Sequence, residues 1–202
     1  MTKLLLATNN SGKLTEYRQL LEGIPFTLVS LAQEGINQPV EESQDTIEGN
    51  ARLKAVAYAS LSRLLTLADD SCLEVDALGG EPGVRSARYL GEKVSFKERM
   101  AHILKLLEGT PWEKRTARFR CVVALATPAG GARLFYGECP GFIAREPKGD
   151  KGFGYDPIFY LPQLGKTMAE LTMDEKNRVS HRGQAARKAW TALEHQKEAI
   201  HP

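Results

Sequence analysis

Short apolar runs and amphipathic stretches alternate along the chain, separated by turns rich in glycine, asparagine, serine and proline. Lys3-Leu4-Leu5-Leu6-Ala7 is a continuous apolar run and predicts a short buried strand, stopped by Thr8-Asn9-Asn10-Ser11-Gly12. Between Lys13 and Leu21 the period changes: Leu14, Tyr17, Leu20 and Leu21 recur at helical spacing. Phe26 to Leu31 predicts a second strand. Thr46 to Ser62 predicts a helix with Ile47, Ala51, Ala55 and Tyr58 on one face. Leu64 to Ala68 predicts a third buried strand that ends directly in Asp69-Asp70-Ser71.

The second half of the pattern is richer in strands. Ser95-Phe96-Lys97-Glu98 matches a capping box, and Phe96, Met100, Ile103, Leu104 and Leu107 give the helix behind it an apolar stripe. Ala117 to Ala126 and Arg133 to Gly137 predict paired strands joined by a turn through Pro128, Gly130 and Gly131. Thr172 to Glu175 forms a second capping box, and Ser180 is placed to cap a closing helix whose Ala186, Ala189, Trp190 and Leu193 face inward. There is no internal repeat, low-complexity tract or linker. Helices and strands alternating early, with strands clustered later, imply a mixed α/β domain.

Composition narrows the class. The chain has 202 residues, 42% of them hydrophobic and 26% charged, which is the make-up of an ordinary globular protein with one core, so residues 1–202 are expected to form a single domain. A net charge of +2 argues against a nucleic acid polymer bound through a broad basic surface, while leaving room for a local basic pocket. Cys72, Cys121 and Cys139 are scattered, with no C-x-x-C spacing for zinc and no disulfide framework. The run from Leu4 to Ala7 is too short for a signal peptide or a membrane span. A cytoplasmic protein with no membrane partner is the expectation.

Four groups of residues carry candidate chemistry. The Thr8–Lys13 loop leads from a strand into a helix start, where unpaired backbone N–H groups and the Lys13 charge favour an anion. It is not a Walker A loop, because Ala7 and Leu14 occupy the places of its glycine and its Ser or Thr, and a plain polar turn with a solvated lysine reads equally well. Asp69 and Asp70 stand where open α/β sheets bind ligands. Glu41 and Glu42 precede the helix in which Asn50 and Lys54 lie one turn apart. Carboxylates from separate segments can converge on Mg2+, although the two glutamates also read as solvated loop charges. Gly79 to Tyr89 is a glycine-rich loop that either shapes a site or turns a corner, with Arg88 serving a phosphate or a structural carboxylate.

The last group has two parts. In Gly149-Asp150-Lys151-Gly152-Phe153-Gly154-Tyr155-Asp156-Pro157, Phe153 and Tyr155 flank a glycine, so one ring can face a ligand while the other packs. In Lys176-Asn177-Arg178-Val179-Ser180-His181-Arg182-Gly183, cations gather at a helix start. Rings stack on bases and cations hold phosphates, so the pair points to a nucleotide.

These residues together closely resemble the inosine triphosphate pyrophosphatase (Ham1/RdgB-like) family of non-canonical purine NTP diphosphatases. The resemblance spans nearly the whole chain. It rests on Ala7-Thr8-Asn9 with Lys13, Ala68-Asp69-Asp70-Ser71, Leu78-Gly79-Gly80 through Pro82-Gly83 to Ser86-Ala87-Arg88-Tyr89, Gly152 to Phe159, and Glu175-Lys176 through Ser180 to Gly183. It departs at Cys72, where many bacterial members have glycine, and at Arg85, where an aromatic is common.

The resemblance implies a homodimer, an α/β fold with an elongated mixed central β-sheet flanked by helices, and two lobes around a substrate cleft. It implies Mg2+-dependent cleavage of the α–β linkage of small-molecule substrates, ITP, dITP or XTP, to the monophosphate and pyrophosphate. Carried over by position, Thr8, Asn9, Asn10, Ser11, Gly12 and Lys13 bind the triphosphate, Asp70 is the proton acceptor and a metal ligand, and Lys54 is a second catalytic group. Glu42 is the other metal ligand, with the alignment at Glu41-Glu42 open by one position. Ser71, Phe153, Gly154, Tyr155, Asp156, Lys176, His181 and Arg182 bind substrate. Two other readings stay open: a Maf-like pyrophosphatase for other NTPs, and a nucleotide-binding module without turnover.

Overall fold

The computed structural model describes residues 2–200, with side chains described for residues 2–194. In chain order the first elements are β1 (Lys3–Leu6), α1 (Ser11–Leu20), β2 (Thr27–Ser30), α2 (Ile47–Ser62), β3 (Leu65–Val75), β4 (Pro82–Gly83) and α3 (Phe96–Leu106). There follow β5 (Thr116–Ala126), β6 (Ala132–Ile143), β7 (Phe159–Leu161), β8 (Lys166–Thr167), α4 (Met173–Val179) and α5 (His181–Ile200). The fold is mixed α/β with an eight-stranded sheet in the order β2-β1-β3-β5-β6-β7-β8, and β4 pairs with β3.

Contacts divide the chain into two compact units. One comprises the residues up to Asp70, Cys121–Gly137 and the segment from Arg182 onward; the other comprises Ser71–Arg120 and Glu138–His181.

The first unit is built on parallel pairing. β1 runs parallel to β2 from Lys3↔Thr27 to Leu6↔Ser30, and to β3 from Leu4↔Leu65 to Leu6↔Leu67. Parallel neighbours require crossovers, which α1 and α2 provide. α1 begins two residues before the periodic pattern does. Asn10 Oδ1 accepts the Lys13 N–H at 3.0 Å, so Asn10 is the N-cap and Ser11 and Gly12 join the first turn. α2 begins at Ile47, because Thr46 caps it, with Oγ1 accepting the Gly49 N–H at 3.1 Å. Leu4, Leu6, Tyr17, Leu21, Leu67, Val123 and Leu125 pack against Ala185, Ala186, Ala189 and Leu193 of α5, with Trp190 partly buried beside them. The small side chains of α5 allow its backbone to approach the sheet closely.

β3 does not stop at the two aspartates. It runs on for eleven residues to Val75, with Asp69 and Asp70 buried inside it. The expected break is absent because each carboxylate meets polar partners where it lies, so the ladder need not end to expose them. β6 likewise outruns the predicted Arg133–Gly137 and reaches Ile143, its turn closed by Thr127 N–H on Gly131 O at 3.0 Å.

In the second unit Leu73, Val75, Ile103, Leu107, Phe119, Ile158, Phe159 and Met168 form the core. The Ser95/Glu98 and Thr172/Glu175 capping boxes both form, at the starts of α3 and α4. The glycine-rich loop is a pinned corner: Ser86 Oγ accepts the Leu73 N–H at 2.9 Å and donates to Gly83 O at 2.6 Å. No helix among the described residues is long and apolar enough to cross a membrane.

Candidate active site

Successive residues of a strand point to opposite faces, and Asp69 and Asp70 use that alternation to enter two different networks. Asp69 is 2% exposed. Its Oδ1 accepts from Lys13 Nζ at 3.0 Å, and its Oδ2 accepts from Arg182 Nε at 3.2 Å. Arg182, also 2% exposed, donates through Nη1 to Glu16 Oε2 at 2.7 Å, with its guanidinium 6.0 Å from the centre of the Tyr17 ring. Cys121 Sγ lies 3.7 Å from Asp69 Oδ2. Burial alone raises the Asp69 carboxyl, but Lys13 and Arg182 outweigh it and hold the group ionised far below the usual carboxylate range. The Lys13 side chain is 13% exposed, and Asn9, Asn10 and Ser11 are exposed beside it.

Asp70, also in β3, turns to α2. Its Oδ2 accepts from Nδ2 of the fully buried Asn50 at 3.2 Å. One turn along the same helix face, Lys54 pairs with Glu42. Burial pushes the Asp70 carboxyl up, Lys54 and Lys13 pull against that, and the like charges of Glu42 and Asp69 add to the rise. Burial disfavours the Lys54 cation, yet Asp70 and Glu42 outweigh it and raise its pKa. The acidic groups and the two lysines therefore form one mutually dependent set, with Glu42 and Asp70 partly neutralised by Lys54. Glu41 is exposed.

The second unit holds a separate cluster. Asp156 and Lys176, each 3% exposed, form an ion pair. Asp156 Oδ2 also accepts the Phe153 N–H at 2.9 Å, and Lys176 Nζ sits 4.8 Å over the Phe153 ring. Phe153 keeps partial exposure. Tyr155 is the ring that packs: it is 3% exposed, its hydroxyl donates to Ser86 O at 2.9 Å, and it meets Phe96 edge-on. His181, 4% exposed, stacks on Phe119 with centroids 4.6 Å apart. Ser71 is partly exposed, and Cys72 is buried in the strand after it.

Gly152 makes the Asp156 cluster possible. Its φ is +72°, and a Cβ there would lie 2.1 Å from Asp156 Oδ2 and 3.1 Å from Lys176 Nζ. Gly152→Ala is expected to cost about 1–2 kcal/mol from the left-handed backbone alone. Displacement of the carboxylate adds to that, so the melting temperature should fall by more than the backbone cost alone implies. A variant of unchanged melting temperature would show that the loop does not depend on this approach.

The sequence singled out Lys13, Glu42, Asn50, Lys54, Asp70, Phe153, Asp156, Lys176 and Arg182, and the structure ties each of them into one of these clusters. It adds Glu16, and it makes Asp69 a hub that receives both Lys13 and Arg182. The signal for Glu16 was available: it falls beside Tyr17 on the inward side of α1, a position where a lone glutamate needs a cation.

Residues 4–192 match the model of the Ham1 family. A dITP/XTP pyrophosphatase of Desulforamulus reducens is 50% identical over 191 residues, which is 95% of each chain. A dITP/XTP pyrophosphatase of Geobacter sulfurreducens is 51% identical over 185 residues, covering 92% of this chain and 93% of that protein. A solved structure of a HAM1 protein from Coxiella burnetii superposes with a TM-score of 0.86 at 40% identity, covering 96% of this chain and 98% of the other. The eight-stranded mixed sheet, the buried Asp69-Asp70 step and these full-length matches agree, and the chain belongs to the Ham1 family.

Proposed function

We propose that the chain is a nucleoside-triphosphate diphosphatase that hydrolyses the α–β linkage of dITP, XTP and ITP to the monophosphate and pyrophosphate, residues 1–202 acting as one catalytic domain. The observation that carries this reading is the Asp69-Asp70 step: one aspartate is locked as an anion by Lys13 and Arg182, while its neighbour is held by an amide with its pKa raised. A raised carboxylate beside cations suits a general base for water attack on a polyanion. Relatives half identical over nearly the whole chain are dITP/XTP pyrophosphatases, which supports the substrate class.

Lys13, with the exposed polar residues Thr8 to Gly12 at the start of α1, would take the triphosphate. Lys54 would offset charge on Glu42 and the leaving pyrophosphate. Asp70 would accept the proton of the attacking water. Phe153 would stack on the base with the ring face opposite Lys176, and Asp156, Tyr155 and Gly154 would hold that loop. Ser71 follows Asp70 and His181 precedes Arg182 along the chain, and both would bind substrate. Rejecting adenine fits a donor aimed at position 6, where hypoxanthine and xanthine carry a carbonyl oxygen and adenine an amine.

Mg2+ fits the residues present. Among the described residues no cluster of three or more His, Cys, Asp or Glu forms a metal cage. Mg2+ is commonly held by one or two carboxylates together with substrate phosphates, and Glu42 and Asp70 offer hard oxygens near enough for one charge to raise the other's pKa. Bound there, the ion would neutralise phosphate charge and lower the pKa of the attacking water. The family reading further supports a homodimer.

The test is pyrophosphate release from ITP, XTP, ATP, GTP and TTP with Mg2+, beside a chelator control. Release from ITP and XTP that chelation abolishes is expected. Release from TTP in preference would replace this reading with a pyrimidine or Maf-like activity, and saturable binding without release would leave a binding module.

A further inference from the structure

We propose that Tyr58 is a positioning residue that sets the reach of Glu42, acting through the backbone of the segment before it. The proposal rests on the reading of Glu42 as a metal ligand. The chain from Ile36 to Thr46 forms neither helix nor strand, so no ladder fixes where Glu42 stands. One face of α2 does that work. Asn50, Lys54 and Tyr58 are spaced four residues apart and share that face.

They meet the segment in reverse order. Asn50 exchanges two bonds with the Gln44 backbone, accepting its N–H at 3.0 Å and donating to its carbonyl at 3.3 Å. Lys54 pairs with the Glu42 carboxylate. The Tyr58 hydroxyl donates to Gln38 O at 3.1 Å and accepts the Val40 N–H at 3.2 Å.

The three contacts are not equivalent. A lysine is a flexible stem with a point charge, so Lys54 follows the carboxylate and does not place it. Asn50 and Tyr58 grip backbone, and they bracket Glu42 from either side. Tyr58 is 3% exposed, and its hydroxyl is engaged as both donor and acceptor. Without that hydroxyl, one of the two backbone grips that bracket Glu42 would be lost, and its oxygens would sample a wider range of positions. Groups that orient a ligand in this way commonly matter about tenfold or more to metal affinity.

Tyr58→Phe keeps the ring and removes the hydroxyl. Mn2+ binding is measured by electron paramagnetic resonance in the presence of α,β-methylene ITP, which cannot be cleaved, and pyrophosphate release from ITP is followed as a function of Mg2+. Expected are Mn2+ affinity lower by about tenfold and a matching rise in the Mg2+ needed for half-maximal activity. kcat at saturating Mg2+ should stay within about twofold, and the melting temperature should fall by at most about 5 °C. Glu42→Gln should weaken Mn2+ at least as much, and Glu41→Gln should leave it unchanged.

Wild-type Mn2+ affinity in Tyr58→Phe, with Glu42→Gln weakened, would overturn the positioning role and leave Glu42 a ligand. So would a fall in kcat with no shift in metal dependence. Unchanged Mn2+ affinity in Glu42→Gln, or no Mn2+ bound by the wild-type complex, would defeat the metal reading itself, and the proposal with it.

Discussion

Asp70→Asn is expected to lower turnover on ITP by at least about a hundredfold while leaving the fold intact, the size of effect that follows loss of a general base. The change is close to isosteric, and it removes a buried charge whose ionisation the fold already opposes through burial and the neighbouring Glu42 and Asp69. Stability should therefore hold or rise slightly, and that separates the variant from one that merely unfolds. The Asn50 amide that donates to Asp70 Oδ2 can still donate to an asparagine oxygen at 3.2 Å, so the local geometry has no reason to collapse. Turnover and thermal denaturation measured on the same preparation decide the matter. A variant with near-normal kcat would remove Asp70 from the role of base and pass it to another group. A variant with a sharply lower melting temperature would make the loss of activity uninformative.

Much of this arrangement is visible in the order of residues. The apolar period locates the helices and strands, and both capping boxes form where Ser95 and Thr172 put them, because a cap is a local interaction between residues three apart. What sequence reasoning misplaces is non-local. Two aspartates after a buried strand look like its end, yet β3 continues through them because Lys13, Arg182 and Asn50 arrive from other elements to receive the carboxylates. The start of α1 shifts for a local reason that the period hides: Asn10 is a strong cap, and the polar Ser11 and Gly12 carry no apolar signal. Tyr58 shows the converse. Its ring completes the apolar face read from the sequence, while the hydroxyl work at Gln38 and Val40 depends on a segment with no pattern of its own.

The second large effect is expected at Arg182. Its guanidinium is buried with Glu16 and Asp69, so Arg182→Ala takes a shared cation from two buried carboxylates, of which Asp69 keeps Lys13. Breaking a buried pair by removing one partner costs about 3–5 kcal/mol, which for a chain of this size lowers the melting temperature by about 10 °C or more. Arg182→Met fills most of the volume and should cost less than alanine. Glu16→Gln added to Arg182→Met should recover part of the loss, because it removes one of the stranded charges; the two changes should therefore be non-additive.

Activity separates that anchoring role from recognition of the base. If Arg182 reads the purine edge, Arg182→Met loses ITP turnover out of proportion to GTP turnover. If it serves only to hold Asp69 and, through it, Lys13, both substrates fall by the same factor and selectivity lies with the Phe153 loop. Equal losses together with recovery by Glu16→Gln would make Arg182 a structural cation that holds Asp69. Unequal losses would mean that the guanidinium exchanges one carboxylate for the nucleotide during binding, a step that the strength of the Glu16 pair would then limit.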